Sequence, residues 1–157
     1  MSFLSLHDLS PSEQSLLARA KDAMHFAYSP YSNFCVGAAV EAMDGSIYVG
    51  TNLENGAYAG VMHAEMVALA VANNAGVRKL KTIAVIGCPR DGFSEEPVMS
   101  CGMCRQYLYE FAQLGSDDMI VIGSNTRQDK ILRLSLSELF PRAFGSKDVG
   151  VDISRFQ

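Results

Sequence analysis

The sequence predicts an α/β protein, a three-layer α/β/α sandwich built on a mixed β-sheet. Three features lead there. The runs Ile83-Ala84-Val85-Ile86 and Met119-Ile120-Val121-Ile122 are apolar without alternation, as in strands covered on both faces. Segments with helical spacing of apolar residues lie before and between the strand-like ones. Asp44-Gly45 is a strong turn signal that joins two early strands as an antiparallel hairpin, and the later strands are spaced for parallel crossovers.

Taken in order, Ser10-Pro11-Ser12-Glu13 is a capping box with proline at the first helical position. Leu16, Leu17, Ala20, Met24 and Ala27 then form one apolar face. Ser29-Pro30-Tyr31-Ser32-Asn33 stops that helix, because the residue before proline is pushed out of the helical region. Strands are expected over 34–43 and 47–49, and a loop rich in Asn, Gly and Ala over 51–61. A helix over 63–74 should bury Ala64, Val67, Ala68 and Val71 and end at Gly76. A central strand follows over 80–88, a polar loop over 89–100 and a helix over 101–114 stopped by Gly115. A strand at 119–122, a weaker edge strand at 131–134 and a short helix at 136–140 complete the pattern, and the tail from Gly145 shows none. There is no repeat or linker, and 157 residues suit a single domain over 1–157 whose core needs no disulfide.

The bulk composition narrows the partners. With 48% hydrophobic residues and a net charge of -4, the chain has no basic footprint for long nucleic acid, while a small polar substrate is compatible. No segment reaches the length of a membrane span, and residues 1–10 lack the regions of a signal peptide, so a cytoplasmic protein is expected. There Cys35, Cys88, Cys101 and Cys104 should be reduced. Cys35 and Cys88 sit in apolar strands and read as small buried core residues; His7 and His25 have no ligating company.

The chemistry concentrates in His63-Ala64-Glu65 and Cys101-Gly102-Met103-Cys104, each opening a helical segment. A lone C-x-x-C has several readings: half a structural zinc knuckle, a redox pair or a coincidence at a helix start. No second C-x-x-C or H-x-x-x-H offers a four-ligand structural site, and thioredoxin-like motifs lack a paired H-x-E. One imidazole and two thiolates make a zinc shell with an open fourth position, the mark of catalytic zinc, and one Zn2+ per chain is expected. Glu65 cannot comfortably join that shell, yet it can stand beside the open position as a proton shuttle next to a metal-activated water. All three ligands fall at helix N-termini, where unpaired N–H groups favour anionic sulfur. The joint H-x-E…C-x-x-C pattern matches the signature of zinc-dependent deaminases.

Over nearly its whole length the chain resembles the cytidine deaminase family. The matching stretches are Tyr28-Ser-Pro-Tyr-Ser-Asn-Phe34 with residues 36–39, Thr51-Asn-Leu-Glu-Asn55 with Ala57-Tyr58, the two metal motifs with Arg105-Gln106, and Glu138-Leu-Phe-Pro-Arg-Ala-Phe144. The resemblance implies a cytidine deaminase-like fold, with Glu65 catalytic and His63, Cys101 and Cys104 as zinc ligands. It implies that Asn52 and Glu54 hold the sugar hydroxyls, that Phe34 packs on the base, and that the Ala64 backbone meets the pyrimidine carbonyl. Tyr58 and Phe144 would reach into another subunit's site, so a homotetramer is expected. Short members of the family usually have a third cysteine where this chain has His63, and an arginine where it has Met66. The two changes agree, because three thiolates need a nearby cation and a His-Cys-Cys site does not. Ser100 stands where the family has proline, at a position whose backbone is expected to accept from the substrate amino group. The implied reaction is hydrolysis of cytidine and 2′-deoxycytidine to the uridine nucleosides with release of ammonia. The alternatives are a deaminase of another aminopyrimidine or modified nucleoside, including a nucleoside antibiotic, and a non-catalytic zinc-stabilised binding module. Asn52 and Glu54 favour a free sugar, and Glu65 has no purpose in a module that only binds.

Overall fold

Local capping starts the first helix. In the computed structural model, which describes residues 2–115 and 117–156, the Ser10 hydroxyl accepts from the Glu13 amide. The Glu13 carboxylate in turn accepts from the Ser10 amide at 3.0 Å, and helix α1 runs Pro11–Met24. The sheet holds β1 (Phe34–Ala42), β2 (Ile47–Thr51), β3 (Leu80–Pro89), β4 (Ile120–Ser124) and β5 (Ile131–Ser135), in the order β2-β1-β3-β4-β5. Strand β1 is antiparallel to β2 and β3, β3 and β4 are parallel, and β5 returns antiparallel to β4. Gly45, at φ 86°, makes the β1–β2 turn that Asp44-Gly45 predicts.

Helix α2 (Ala64–Asn74) carries the chain from β2 across to β3, α3 (Gly102–Ala112) carries it from β3 to β4, and a short α4 (Leu136–Leu139) follows β5. Leu16, Leu17, Ala20 and Met24 of α1 pack with Ala39, Ala84, Ile86 and Ile122 in a core on one face of the sheet. Ala68, Leu69 and Leu108 of α2 and α3 pack with Val40, Ile83 and Val121 on the other. The expected three layers and mixed sheet are present.

Several element ends shift by a residue or two, and some local readings change further. Strand β2 extends to Thr51, and α3 begins after Cys101, which caps it, and ends at Ala112. The tail forms two 3₁₀ turns, Ser146–Val149 and Ser154–Phe156. On α2 the buried stripe runs through Ala64, Ala68 and Ala72, while Val71 is 43% exposed and Val67 only partly buried. The small residues face inward because α2 lies almost in contact with β2. A Cβ on Gly50 would stand 2.3 Å from the Ala68 nitrogen and 2.4 Å from the Ala64 oxygen.

The register places Thr51 opposite Gly37 and Pro89 opposite Phe34. The carboxyl ends of β2 and β3 therefore meet the start of β1 at one end of the sheet. Ligands of open α/β sheets bind outside such strand ends.

Candidate metal centre and substrate cavity

Helices α2 and α3 both begin at this end. His63 is the N-cap of α2 and Cys101 of α3, each with extended backbone, and Cys104 lies one turn into α3, fully buried. The His63 Nδ1 stands 3.2 Å from Cys104 Sγ and 3.4 Å from Cys101 Sγ, with the two sulfurs 3.6 Å apart. Glu65, 5% exposed in the first turn of α2, lines the cavity wall beside His63 and Cys101, and its charge acts on the Cys104 thiol. Burial, then the Glu65 charge and the neighbouring Cys101, push the Cys104 thiol well above its ordinary range. Two sulfurs, an imidazole and a carboxylate so crowded want a cation among them.

Beside this cluster lies a cavity of about 300 Å³, lined by His63, Ala64, Glu65 and Cys101 together with Phe34, Asn52 and Glu54. Asn52 is 9% exposed, and its amide continues the sheet where β2 stops. Its Oδ1 accepts from the Val36 amide at 2.9 Å and its Nδ2 donates to the Phe34 carbonyl at 2.8 Å. Glu54 Oε2 accepts from the backbone amides of Tyr31 and Ser32, at 2.8 and 3.2 Å. The Ser32 hydroxyl first, then those amides and the Arg90 charge, outweigh burial and hold the Glu54 carboxyl below its ordinary range. A carboxylate kept ionised in this way is a strong acceptor for a sugar hydroxyl.

The family described as "cytidine and deoxycytidylate deaminase zinc-binding region" matches residues 10–122. The chain belongs to this deaminase family. It is 40% identical over 136 residues to a cytidine deaminase of Sporosarcina psychrophila, covering 87% of this chain and 93% of the relative. Another, from Halalkalibacterium halodurans, is 38% identical, covering 87% and 96%. The solved cytidine deaminase from Burkholderia pseudomallei superposes with a TM-score of 0.75 at 36% identity, covering 87% of this chain and all of that one.

The deaminase family's zinc fits the residues present. A tetrahedral ion with ordinary Zn–N and Zn–S bonds separates its ligand atoms by about 3.5 Å for N···S and about 3.8 Å for S···S. The observed separations fall within a few tenths of an ångström of those values, and His63, Cys101 and Cys104 are the group able to hold a metal among the described residues.

Of the residues singled out from sequence, Phe34, Asn52, Glu54, His63, Ala64, Glu65 and Cys101 line one cavity, and Cys104 completes the cluster. Tyr58 and Phe144 stand outside the cavity of their own chain, 75% and 62% exposed. Ser100 is also absent from the wall. Its carbonyl accepts from Arg105, and the neighbouring Val98 and Met99 face the cavity instead. Sequence reasoning did not select Val61, Val98 or Met99 as wall residues, because loops carry no periodicity that marks an inward face. A larger cavity of about 480 Å³ near Tyr109, Leu136 and Phe140 offers no imidazole or thiol.

Proposed function

We propose that this protein catalyses the zinc-dependent hydrolytic deamination of cytidine and 2′-deoxycytidine, yielding uridine or 2′-deoxyuridine and ammonia. One observation carries this reading: Glu65 and the His63–Cys101–Cys104 cluster open into the same cavity as Phe34, Asn52 and Glu54. Held by His63, Cys101 and Cys104, zinc supplies Lewis acidity that makes a water acidic enough to deprotonate near neutral pH. The Glu65 carboxylate takes a proton from the attacking water, delivers it to the ring nitrogen N3, and later carries a proton to the departing amino nitrogen. Its burial keeps bulk water from competing for that proton. Phe34 offers a flat apolar surface to the base, the Ala64 backbone meets the pyrimidine carbonyl, and Asn52 and Glu54 bind the sugar hydroxyls.

Within this reading the working form is a homotetramer acting in cytoplasmic pyrimidine salvage. Cys101 is exposed in a single chain, and Tyr58 and Phe144 present aromatic rings to solvent. Another copy covering these groups would dry the site. No helix among the described residues is long and apolar enough to cross a membrane.

The decisive experiment follows loss of ultraviolet absorbance, with ammonia release, over cytidine, deoxycytidine, cytosine, the monophosphate and several modified nucleosides. The two nucleosides should react with stoichiometric ammonia, while cytosine and the monophosphate lag far behind. Equal rates on cytosine remove the sugar assignment, and a modified nucleoside that outpaces cytidine replaces the substrate. A zinc-loaded protein inert on all of them ends the reading.

A further inference from the structure

Arg105, the residue after the ligand Cys104, points its guanidinium at backbone and not at a carboxylate. Its Nε donates to the Ser100 carbonyl at 2.8 Å and its Nη1 to the Leu139 carbonyl at 2.9 Å. Among the described residues it takes part in no ion pair. Ser100 immediately precedes Cys101, and Leu139 is the last residue of α4. The adjacent Gln106 adds a tie of the same kind, donating Nε2 to the Phe144 carbonyl at 2.9 Å.

The turn at Ser100 is buried, and among the described residues it has few other hydrogen bonds to hold it. The Ser100 hydroxyl is buried without a hydrogen-bond partner, so its side chain anchors nothing. Upstream the loop is pinned through the Val98 amide, which donates to Ser124 of β4. From there to the helix, Val98 and Met99 pack against the core, and among the described residues the hydrogen bond that holds the backbone is the one Arg105 gives to the Ser100 carbonyl. A guanidinium suits this task because its donors lie in one rigid plane and reach two acceptors at set angles, which a lysine ammonium does not reproduce.

We propose that Arg105 is a positioning residue, which braces the Ser100–Cys101 backbone against the C-terminal segment 139–144 and so holds the two sulfurs at ligand spacing. The inference rests on the zinc reading only in taking Cys101 and Cys104 as ligands. Segment 139–144 is thereby coupled to the metal, and by linkage the metal steadies that segment in return.

The test begins with the zinc content of the wild-type protein, since about one zinc per chain establishes the ligand reading independently of Arg105. Arg105→Lys and Arg105→Gln are then loaded with zinc and compared with wild type. Zinc loss to a chromogenic chelator should quicken, and kcat fall, by about 10–100-fold, with KM for cytidine nearly unchanged because the sugar-binding residues are untouched. Variants that melt earlier yet keep wild-type zinc release and kcat would show a merely stabilising arginine and overturn the proposal. Should both variants fail to fold, hydrogen exchange on the wild type decides. Zinc removal should then deprotect 98–104 and 136–144 together, and loss confined to 98–104 would refute the coupling. A wild type that holds no zinc would sink the metal assignment instead, a result distinct from either.

Discussion

Glu65 joins burial to proximity: it is 5% exposed in the first turn of α2, and it shares a cavity wall with His63 and Cys101. Glu65→Gln keeps the shape and removes the proposed proton shuttle. Zinc content should stay near one per chain while kcat drops by about 10²–10⁴-fold, read by metal analysis beside the absorbance assay; near-normal turnover would assign proton transfer elsewhere. Ser100 poses the opposite case. Its hydroxyl is buried and unpartnered, and a buried donor left unmade costs about 1–3 kcal/mol. Ser100→Ala should therefore raise stability by about 1 kcal/mol, seen as a higher denaturation midpoint, with zinc content intact because the Arg105 bond goes to the carbonyl. A lower midpoint would mean that a water already satisfies the hydroxyl.

At the scale of elements, the metal depends on how closely α2 lies on β2. Gly50→Ala would put a methyl about 2.3 Å from the backbone of α2, so the helix must shift and take His63 and Glu65 with it. The expected outcome is a loss of about 1–3 kcal/mol together with lower zinc affinity, checked by thermal melts and chelator titration; unchanged affinity would show that the helix end moves independently of its middle. On the other face, Arg133 Nε of β5 donates to the Glu13 carboxylate of α1 at 2.8 Å. Burial alone would raise the Glu13 pKa, but the Arg133 and Ser10 bonds outweigh it and hold the carboxyl below the ordinary range of a glutamate. Because the folded pKa is depressed, this contribution is fully present above the unfolded value and is lost as pH falls through the folded one. Melting temperature should fall below about pH 4.3, and Glu13→Gln should flatten that limb while lowering stability at neutral pH. An unchanged acid limb would move the titration to another carboxyl.

These elements also show where the sequence was informative. The capping box at Ser10, the unbroken apolar runs of β3 and β4 and the Asp44-Gly45 turn are local signals, and local physics settled them. The outward turn of Val71 was hidden, because it depends on Gly50 receiving α2 on a separate strand. The metal motifs were legible because ligation demands particular side chains in short clusters. The bracing by Arg105 was not, since its acceptor at Leu139 lies on a helix that only the tertiary fold brings near.

For the whole molecule, a single chain leaves Cys101 exposed and Tyr58 and Phe144 standing in solvent. The proposed tetramer of 17.0 kDa chains should accordingly lose specific activity when diluted to monomer, and Phe144→Ala should bring that loss to higher protein concentration. Sedimentation velocity paired with activity across a dilution series reads this directly; full activity from a monomer would leave those aromatics without a catalytic part. The Asn52 amide bears on attempts to redesign the protein. Because both its ends bridge the chain at 34 and 36, altering that position to admit another sugar would fray the first rung of β1 and unseat Phe34, the ring proposed to stack on the base. Anyone retuning sugar preference should leave Asn52 alone and vary Glu54, whose carboxylate holds the Tyr31 and Ser32 amides of a loop and no rung of the sheet.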